Sequence, residues 1–199
     1  MTHLFHSPNK KAMHMNKLWI LLLAPLLAIS ACNKDEEPDN LLRYDGPNFT
    51  GPILPAGDYE AAARFTPAQT GRFEGRRLEE VTWFMGVRPA SCKVHIYGPG
   101  TNNTPGALLY SAEIQVDNIQ VPAWNTHRLS PTLPIDGQDL WISIAFTHAQ
   151  EQQSIGCDAG PNRPNGDWLF DSNDGQWETF LQRTTTENIN WNVRGVVGD

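Results

Sequence analysis

Residues 140–147 read Leu-Trp-Ile-Ser-Ile-Ala-Phe-Thr, and in them Leu140, Ile142, Ile144 and Phe146 alternate with Trp141, Ser143, Ala145 and Thr147. A period of two marks a strand with one face against a core. The same alternation sets Val81, Trp83, Met85 and Val87 against Thr82, Phe84 and Gly86, and Val94 and Ile96 against Lys93, His95 and Tyr97. Further strand candidates run over 59–65, 108–116, 124–129, 168–170, 177–181 and 191–197. Turn chemistry separates them, in Gly-Pro-Gly-Thr-Asn-Asn at 98–103, Pro-Ile-Asp-Gly at 134–137 and Asp-Ser-Asn-Asp-Gly at 171–175. Helical signal is confined to 61–73, where Thr66 can cap a turn opened by Pro67. Many short strands without helical crossovers predict an all-β fold, a two-sheet jelly-roll-like β-sandwich, with an immunoglobulin-like sandwich as the alternative.

The 199 residues are 40% hydrophobic and 19% charged, a composition that suits one globular domain and excludes a disordered chain, a coiled coil or a collagen-like rod. Net charge is −7, unevenly placed: Lys10, Lys11 and Lys17 precede Cys32 and no acidic residue does, which leaves 12 basic against 22 acidic residues beyond it. Phosphate binding needs a basic face, so no nucleic-acid partner is expected.

Behind those lysines, Leu18 to Ile29 form a twelve-residue apolar run broken by Pro25, too short to span a bilayer as a helix and laid out as a signal peptide. Ile29-Ser30-Ala31-Cys32 resembles the lipobox of bacterial lipoproteins, which implies lipidation of Cys32 and cleavage before it. The expected organisation is a signal peptide at 1–31, with 1–14 a misplaced start ahead of Met13 or Met15, then the lipidated Cys and an acidic linker at 32–43, and the β-sandwich at 44–199. Lys34-Asp35-Glu36-Glu37 resembles the tag that follows the acylated Cys in surface-exported lipoproteins of the Bacteroidota. That resemblance implies an outer-membrane, lipid-anchored domain facing the cell exterior, with the membrane as a partner through its lipid.

Lipidation of Cys32 leaves Cys92 and Cys157 in an oxidising compartment, where a disulfide between them is the economical expectation and two buried free thiols the alternative. Closing that loop would stabilise the fold by ~4 kcal/mol in the chain-entropy account. Neither has the spacing of a redox or zinc motif.

No GxSxG, HExxH, GxxxxGK[ST] or Rossmann glycine pattern occurs, and beyond Cys32 only His95, His127 and His148 remain, each in a different predicted strand. Glu79, Glu113, Asp117, Asp158 and Asp167 could supply a carboxylate pair for glycoside hydrolysis, but no spacing selects one. The most distinctive segment is 156–168, a polar loop entering a Trp-bearing strand. Its Asp158 and Asp167 can offer oxygen ligands, which makes Ca²⁺ a candidate cofactor, or can order the loop. Trp168 can stack on a sugar ring. A rigid Gly/Pro connection is the equal alternative. Trp168 and Trp177 flank the 171–175 turn as a candidate cross-strand pair, a core pair if buried and a ligand platform if exposed. Trp124, Trp141 and Trp191 lie within longer strands and are expected in the core.

Ala-Ala-Arg-Phe at 62–65, GRRLEEV at 75–81, PGALLYS at 105–111, Leu-Trp-Ile-Ser at 140–143, residues 156–161, Gly-Asp-Trp at 166–168 and Asn-Trp-Asn-Val-Arg at 190–194 together resemble a β-sandwich module of secreted and lipid-anchored Bacteroidota proteins. The style is similar to the cleaved-adhesin jelly rolls of gingipain haemagglutinin regions. The resemblance spans about 44–197 and implies a jelly-roll fold with calcium and host-protein or glycan binding, although no calcium ligand can be carried over residue by residue. The expected function is therefore a non-enzymatic, cell-surface, lipid-anchored protein that binds a glycan or glycoprotein through Asp158, Asp167, Trp168 and Trp177. The alternatives are an accessory or structural subunit partnered with an outer-membrane protein, and a polysaccharide hydrolase.

Overall fold

The computed structural model describes residues 39–199, so Cys32, the leader and the acidic tag lie outside the described residues. Among the described residues there are ten strands: β1 (Leu41–Leu42), β2 (Gly57–Phe65), β3 (Arg77–Met85), β4 (Ser91–Tyr97), β5 (Leu108–Glu113), β6 (Ala123–Pro134), β7 (Leu140–His148), β8 (Trp168–Asp171), β9 (Gln176–Thr179) and β10 (Val193–Gly198). They form two antiparallel sheets, ordered β1-β10-β3-β6 and β5-β4-β7-β2-β8-β9. Setting aside the β8–β9 hairpin leaves eight strands as 1-10-3-6 and 2-7-4-5, the order of a jelly roll. No helix among the described residues is long and apolar enough to cross a membrane.

The period-two residues do what their spacing requires. Ile142, Ile144 and Phe146 of β7, Ala61, Ala63 and Phe65 of β2, and Val94 and Ile96 of β4 face Leu78, Val81, Trp83, Val193 and Val197 of the other sheet in one apolar core. Trp83 and Trp191 are wholly buried there. Gly195 packs under Ile142 of the other sheet and Leu78 of its own: a Cβ would stand 2.6 Å from Ile142 Cδ1 and 2.7 Å from Leu78 Cδ1, so a larger residue would have to displace both side-chain ends.

Several boundaries differ from the expected ones. The sandwich begins before residue 44, because β1 pairs Leu41 with Val196 and buries Leu42, a two-residue strand too short to show alternation. The candidate strand 177–181 stops at Thr179, whose hydroxyl accepts from Gln182 N at 3.2 Å while Gln182 Oε1 takes Thr179 N–H at 2.9 Å. That capping box opens the short helix α2 (Phe180–Thr184). The other helix, α1 (Pro67–Thr70), starts at Thr66 as its capping residues indicate, but 61–65 belongs to β2.

The expected disulfide is absent: Cys92 and Cys157 are both free and buried. Cys92 lies in β4 opposite Phe146, within the six-stranded sheet. Cys157 forms isolated bridges with Thr50 and Trp191 in the loop layer. Burial pushes each thiol up to about 12, with Asp158 and Glu187 adding to the shift at Cys157, so both are apolar core groups.

Candidate binding face

The loop residues singled out by sequence turn out to hold the fold together. Asp158 accepts hydrogen bonds from Gly46 N (2.9 Å), Gly160 N (2.9 Å), Asn190 N (2.8 Å) and the Asn190 side-chain amide. Burial pushes its pKa upward, yet those donors outweigh burial and hold the carboxyl below its ordinary value. Asp167 accepts from Leu181 N at 3.0 Å at the start of α2, and burial raises its pKa. Asn190 completes the bracket, accepting from Arg163 N at 2.7 Å and donating to Pro161 O at 3.0 Å. The lone pairs that a Ca²⁺ would need from Asp158 therefore face N–H donors. Among the described residues no group of three or more His, Cys, Asp or Glu is placed to hold a metal ion.

Trp168 is also not a platform. It is 5% exposed and packs, with Ala62 and Trp141, into a second apolar cluster on the outer face of the six-stranded sheet. Trp141 is thus buried, but outside the main core, whereas Trp124 is partly exposed against expectation. The register also corrects the cross-strand pair: Trp177 stands opposite Phe170, and Trp168 opposite Thr179. Both Trp168 and Trp177 instead flank Trp141, with ring centroids 5.2 and 5.8 Å away.

This outer face gathers the chemistry. Alternation along β7 turns Trp141, Ser143, Ala145 and Thr147 away from the core, and the register places a residue of β2 and one of β4 beside each: Arg64 and Tyr97, Ala62 and His95, Glu60 and Lys93, Asp58 and Ser91. Beyond β2, Phe170 lies beside Glu60 and Trp177 beside Phe170. One row across the sheet thus reads Trp177, Phe170, Glu60, Ala145, Lys93. It passes from an aromatic end to a charged end.

Glu60 is the centre of a polar net although only 8% exposed. Ser143 donates its hydroxyl to Oε1, His95 Nδ1 lies 3.1 Å from Oε1, and Tyr97 donates to Oε2 at 3.2 Å. Burial, and then the Glu60 carboxylate, push the Tyr97 phenol well above its ordinary value, so it remains a donor. Because Ala145 is small, a trough of about 330 Å³ opens beside this net, bordered by Asp58, Ser91, Lys93, His95 and Thr147. At the other end, Arg64 is clamped by Asp139 at 2.6 Å and lies over the Trp141 ring at 5.7 Å.

A Ser, a His and a Glu in contact do not make a nucleophilic triad here. The Ser143 hydroxyl is buried and donates to the Glu60 carboxylate, and its other contact is the His95 backbone carbonyl at 3.2 Å, so no imidazole nitrogen faces it and the Ser–His contact of a triad is missing. The arrangement suits recognition: fixed donors and acceptors beside an aromatic wall. The other two histidines among the described residues are held elsewhere, His127 by Tyr110 at 2.8 Å and His148 in the core beside Leu54 O at 3.3 Å. Sequence reading missed Glu60. Outward alternation in β2, β4 and β7 was the available signal, but it becomes a site only once those strands are known to be neighbours.

No protein-family model matches the chain, and no curated protein does. Among solved structures, the chain is similar to a Clostridial cysteine protease, Cwp84, after propeptide cleavage, at 11% identity and a TM-score of 0.50, over 80% of this chain and 41% of that one. A second structure comprises the cysteine protease and lectin-like domains of Cwp84, described as a surface-layer-associated protein of Clostridium difficile. It matches at 9% identity and a TM-score of 0.44, over 78% of this chain and 37% of that one. The chain spans less than half the length of these neighbours, and at such identities the likeness is one of fold.

Proposed function

We propose that this domain is a cell-surface carbohydrate-binding module, carried on a lipid anchor at Cys32, whose ligand lies across the outer face of the six-stranded sheet. The observation that carries the reading is the Glu60 net: a carboxylate held by Ser143, His95 and Tyr97, which fixes His95 at the border of a trough and stands in one row with Phe170 and Trp177. Sugars present hydroxyls and an apolar ring face together, and this row offers acceptors, donors and aromatic surface in that combination. Asp58 and Lys93 place opposite charges around the trough, Lys93 also pairing with Glu113 at 2.7 Å, which suits a glycan bearing a charged substituent. The test is a glycan and host-glycoprotein array probed with the wild type, Lys93→Ala and Trp177→Ala. Specific binding weakened by both substitutions supports the reading, and a blank array overturns it. Calcium is an expectation both of the Asp158 and Asp167 loop and of the adhesin resemblance, and with Asp158 facing N–H donors only the resemblance still calls for it, which running the array with chelator tests.

A second reading, an accessory subunit of an outer-membrane assembly, is favoured by one feature. The edge strand β5 exposes Leu108 and Leu109, each by about half. Co-purification with a membrane protein, lost on Leu108→Ser and Leu109→Ser, is the outcome that this reading requires.

A further inference from the structure

We propose a second and separate ring-binding site on the opposite sheet, built on Trp124 and taking a neutral sugar ring. Trp124 opens β6 on the outer face of the four-stranded sheet and is 38% exposed. The register sets it beside Phe84, whose ring meets it edge-on at 6.0 Å and 84°. One face of the indole is covered by the Arg194 guanidinium, 4.0 Å from the ring centroid.

That guanidinium is itself immobilised. Asp45, wholly buried, receives Arg194 Nε at 2.9 Å and Nη2 at 2.8 Å together with Asn192 Nδ2 at 2.6 Å. A buried ion pair contributes little net stability compared with apolar packing of the same volume, so its evident structural effect here is positional. It holds a large aromatic ring in one orientation while leaving part of that ring in solvent.

Phe84 joins this platform to a hollow of about 250 Å³, bordered by Asn48, Val87, Pro122, Gln153 and Gly156 among others. Three properties of the hollow define its ligand. None of the side chains that border it is ionisable, so the ligand is neutral. The hollow is smaller than the pockets that take drug-sized molecules, so it suits one ring. Asn48 borders the hollow, and its Oδ1 is packed against Gly156 without a hydrogen-bond partner, so a turn of that side chain brings an unpaired acceptor to a ligand hydroxyl. An apolar side chain of a protein partner would leave that oxygen unpaired, whereas a pyranose brings both a C–H face for the aromatic rings and a hydroxyl donor. The trough beside Glu60 lies on the other sheet, so the two sites are independent and the domain can hold two glycan segments at once.

The test is an array of immobilised neutral oligosaccharides, with gluco-, manno-, galacto- and xylo-configured members, probed with detergent-solubilised full chain. The expected result is retention of at least one member by the wild type, reduced at least tenfold in Trp124→Ala and several-fold in Asn48→Ala, and unchanged in Trp177→Ala and Lys93→Ala. Trp124→Phe keeps an aromatic ring against Arg194 and should retain part of the binding with an unchanged Tm, which separates loss of the platform from loss of the fold. Retention that is indifferent to Trp124 and Asn48, or that falls only with Trp177 and Lys93, overturns this site while leaving the trough standing. No retention of any neutral member overturns it as well.

Discussion

Phe170 faces Trp177 across the β8–β9 hairpin with ring centroids 5.6 Å apart, and the pair forms the aromatic end of the row that leads to Glu60. Trp168, two residues earlier, lies on the same face but beneath the surface. The two tryptophans should therefore separate in mutagenesis. Trp177→Ala is expected to weaken glycan retention about tenfold, equivalent to ~1.4 kcal/mol, with a smaller fall in Tm than Trp168→Ala, because Trp177 is only partly buried against Trp141. Trp168→Ala opens a cavity in the cluster with Ala62 and Trp141 and is expected to cost about 3–5 kcal/mol of stability. Chemical denaturation alongside array binding checks both.

Asp158 ties three chain segments, at residues 46, 160 and 190, through one carboxylate. Asp158→Ala leaves the buried Asn190 N–H and the part-buried N–H groups of Gly46 and Gly160 without an acceptor, and a fully buried group so orphaned costs about 1–3 kcal/mol. We expect a loss of roughly 3 kcal/mol or more, read by urea unfolding. A metal chelator should leave the Tm of the wild type unchanged, because the carboxylate oxygens already face protein donors. A chelator-induced fall in Tm would place a cation in this loop.

Both core thiols should be silent in the folded state. At pH 8 a thiol pushed up to about 12 carries almost no thiolate. In a Cys32→Ser chain, a thiol reagent is expected to find none reactive natively and two after denaturation without reductant. No thiol after denaturation would restore the disulfide.

His148 sits between Tyr59 and Phe146, with ring centroids at 5.5 and 5.0 Å, and burial lowers its pKa from 6.5 despite bonds to backbone carbonyls. His127 is lowered by burial as well. A depressed folded pKa means that the unfolded chain binds protons first. Stability is then full above about 6.5 and is lost as pH falls from there toward the folded pKa. His148→Leu should flatten the decline of Tm between pH 7 and 5. An unchanged slope would assign the acid sensitivity to other groups.

Much of the architecture could be read from the sequence because period-two alternation is local. It placed β3, β4 and β7 and their inward residues, except Val87, which lies past the end of β3 and is exposed, and the Asp171-to-Gly175 turn between β8 and β9, where Gly175 has a φ of +68°. What it missed is non-local. Glu60, His95, Tyr97 and Ser143 come from three strands, and only the order β4-β7-β2 makes them neighbours. Trp124 follows the alternation of its strand, but on the outward side, with Arg194 and Asp45 arriving from distant segments. Asp158 and Asp167 looked like ligands because an Asp/Asn-rich loop has the same composition whether its carboxylates face an ion or the backbone.

Whether recognition lies on the Glu60 face is decided by titrating an array-selected charged glycan against the wild type and Glu60→Gln, with Tm measured for both. The substitution keeps the volume of the side chain but removes its charge and one acceptor oxygen, which loosens Tyr97, Ser143 and His95, the last of which borders the trough. Affinity at least tenfold weaker, with the fold intact, is the expected result. Wild-type affinity in Glu60→Gln, Lys93→Ala and Trp177→Ala alike would refute this assignment and move recognition off the face.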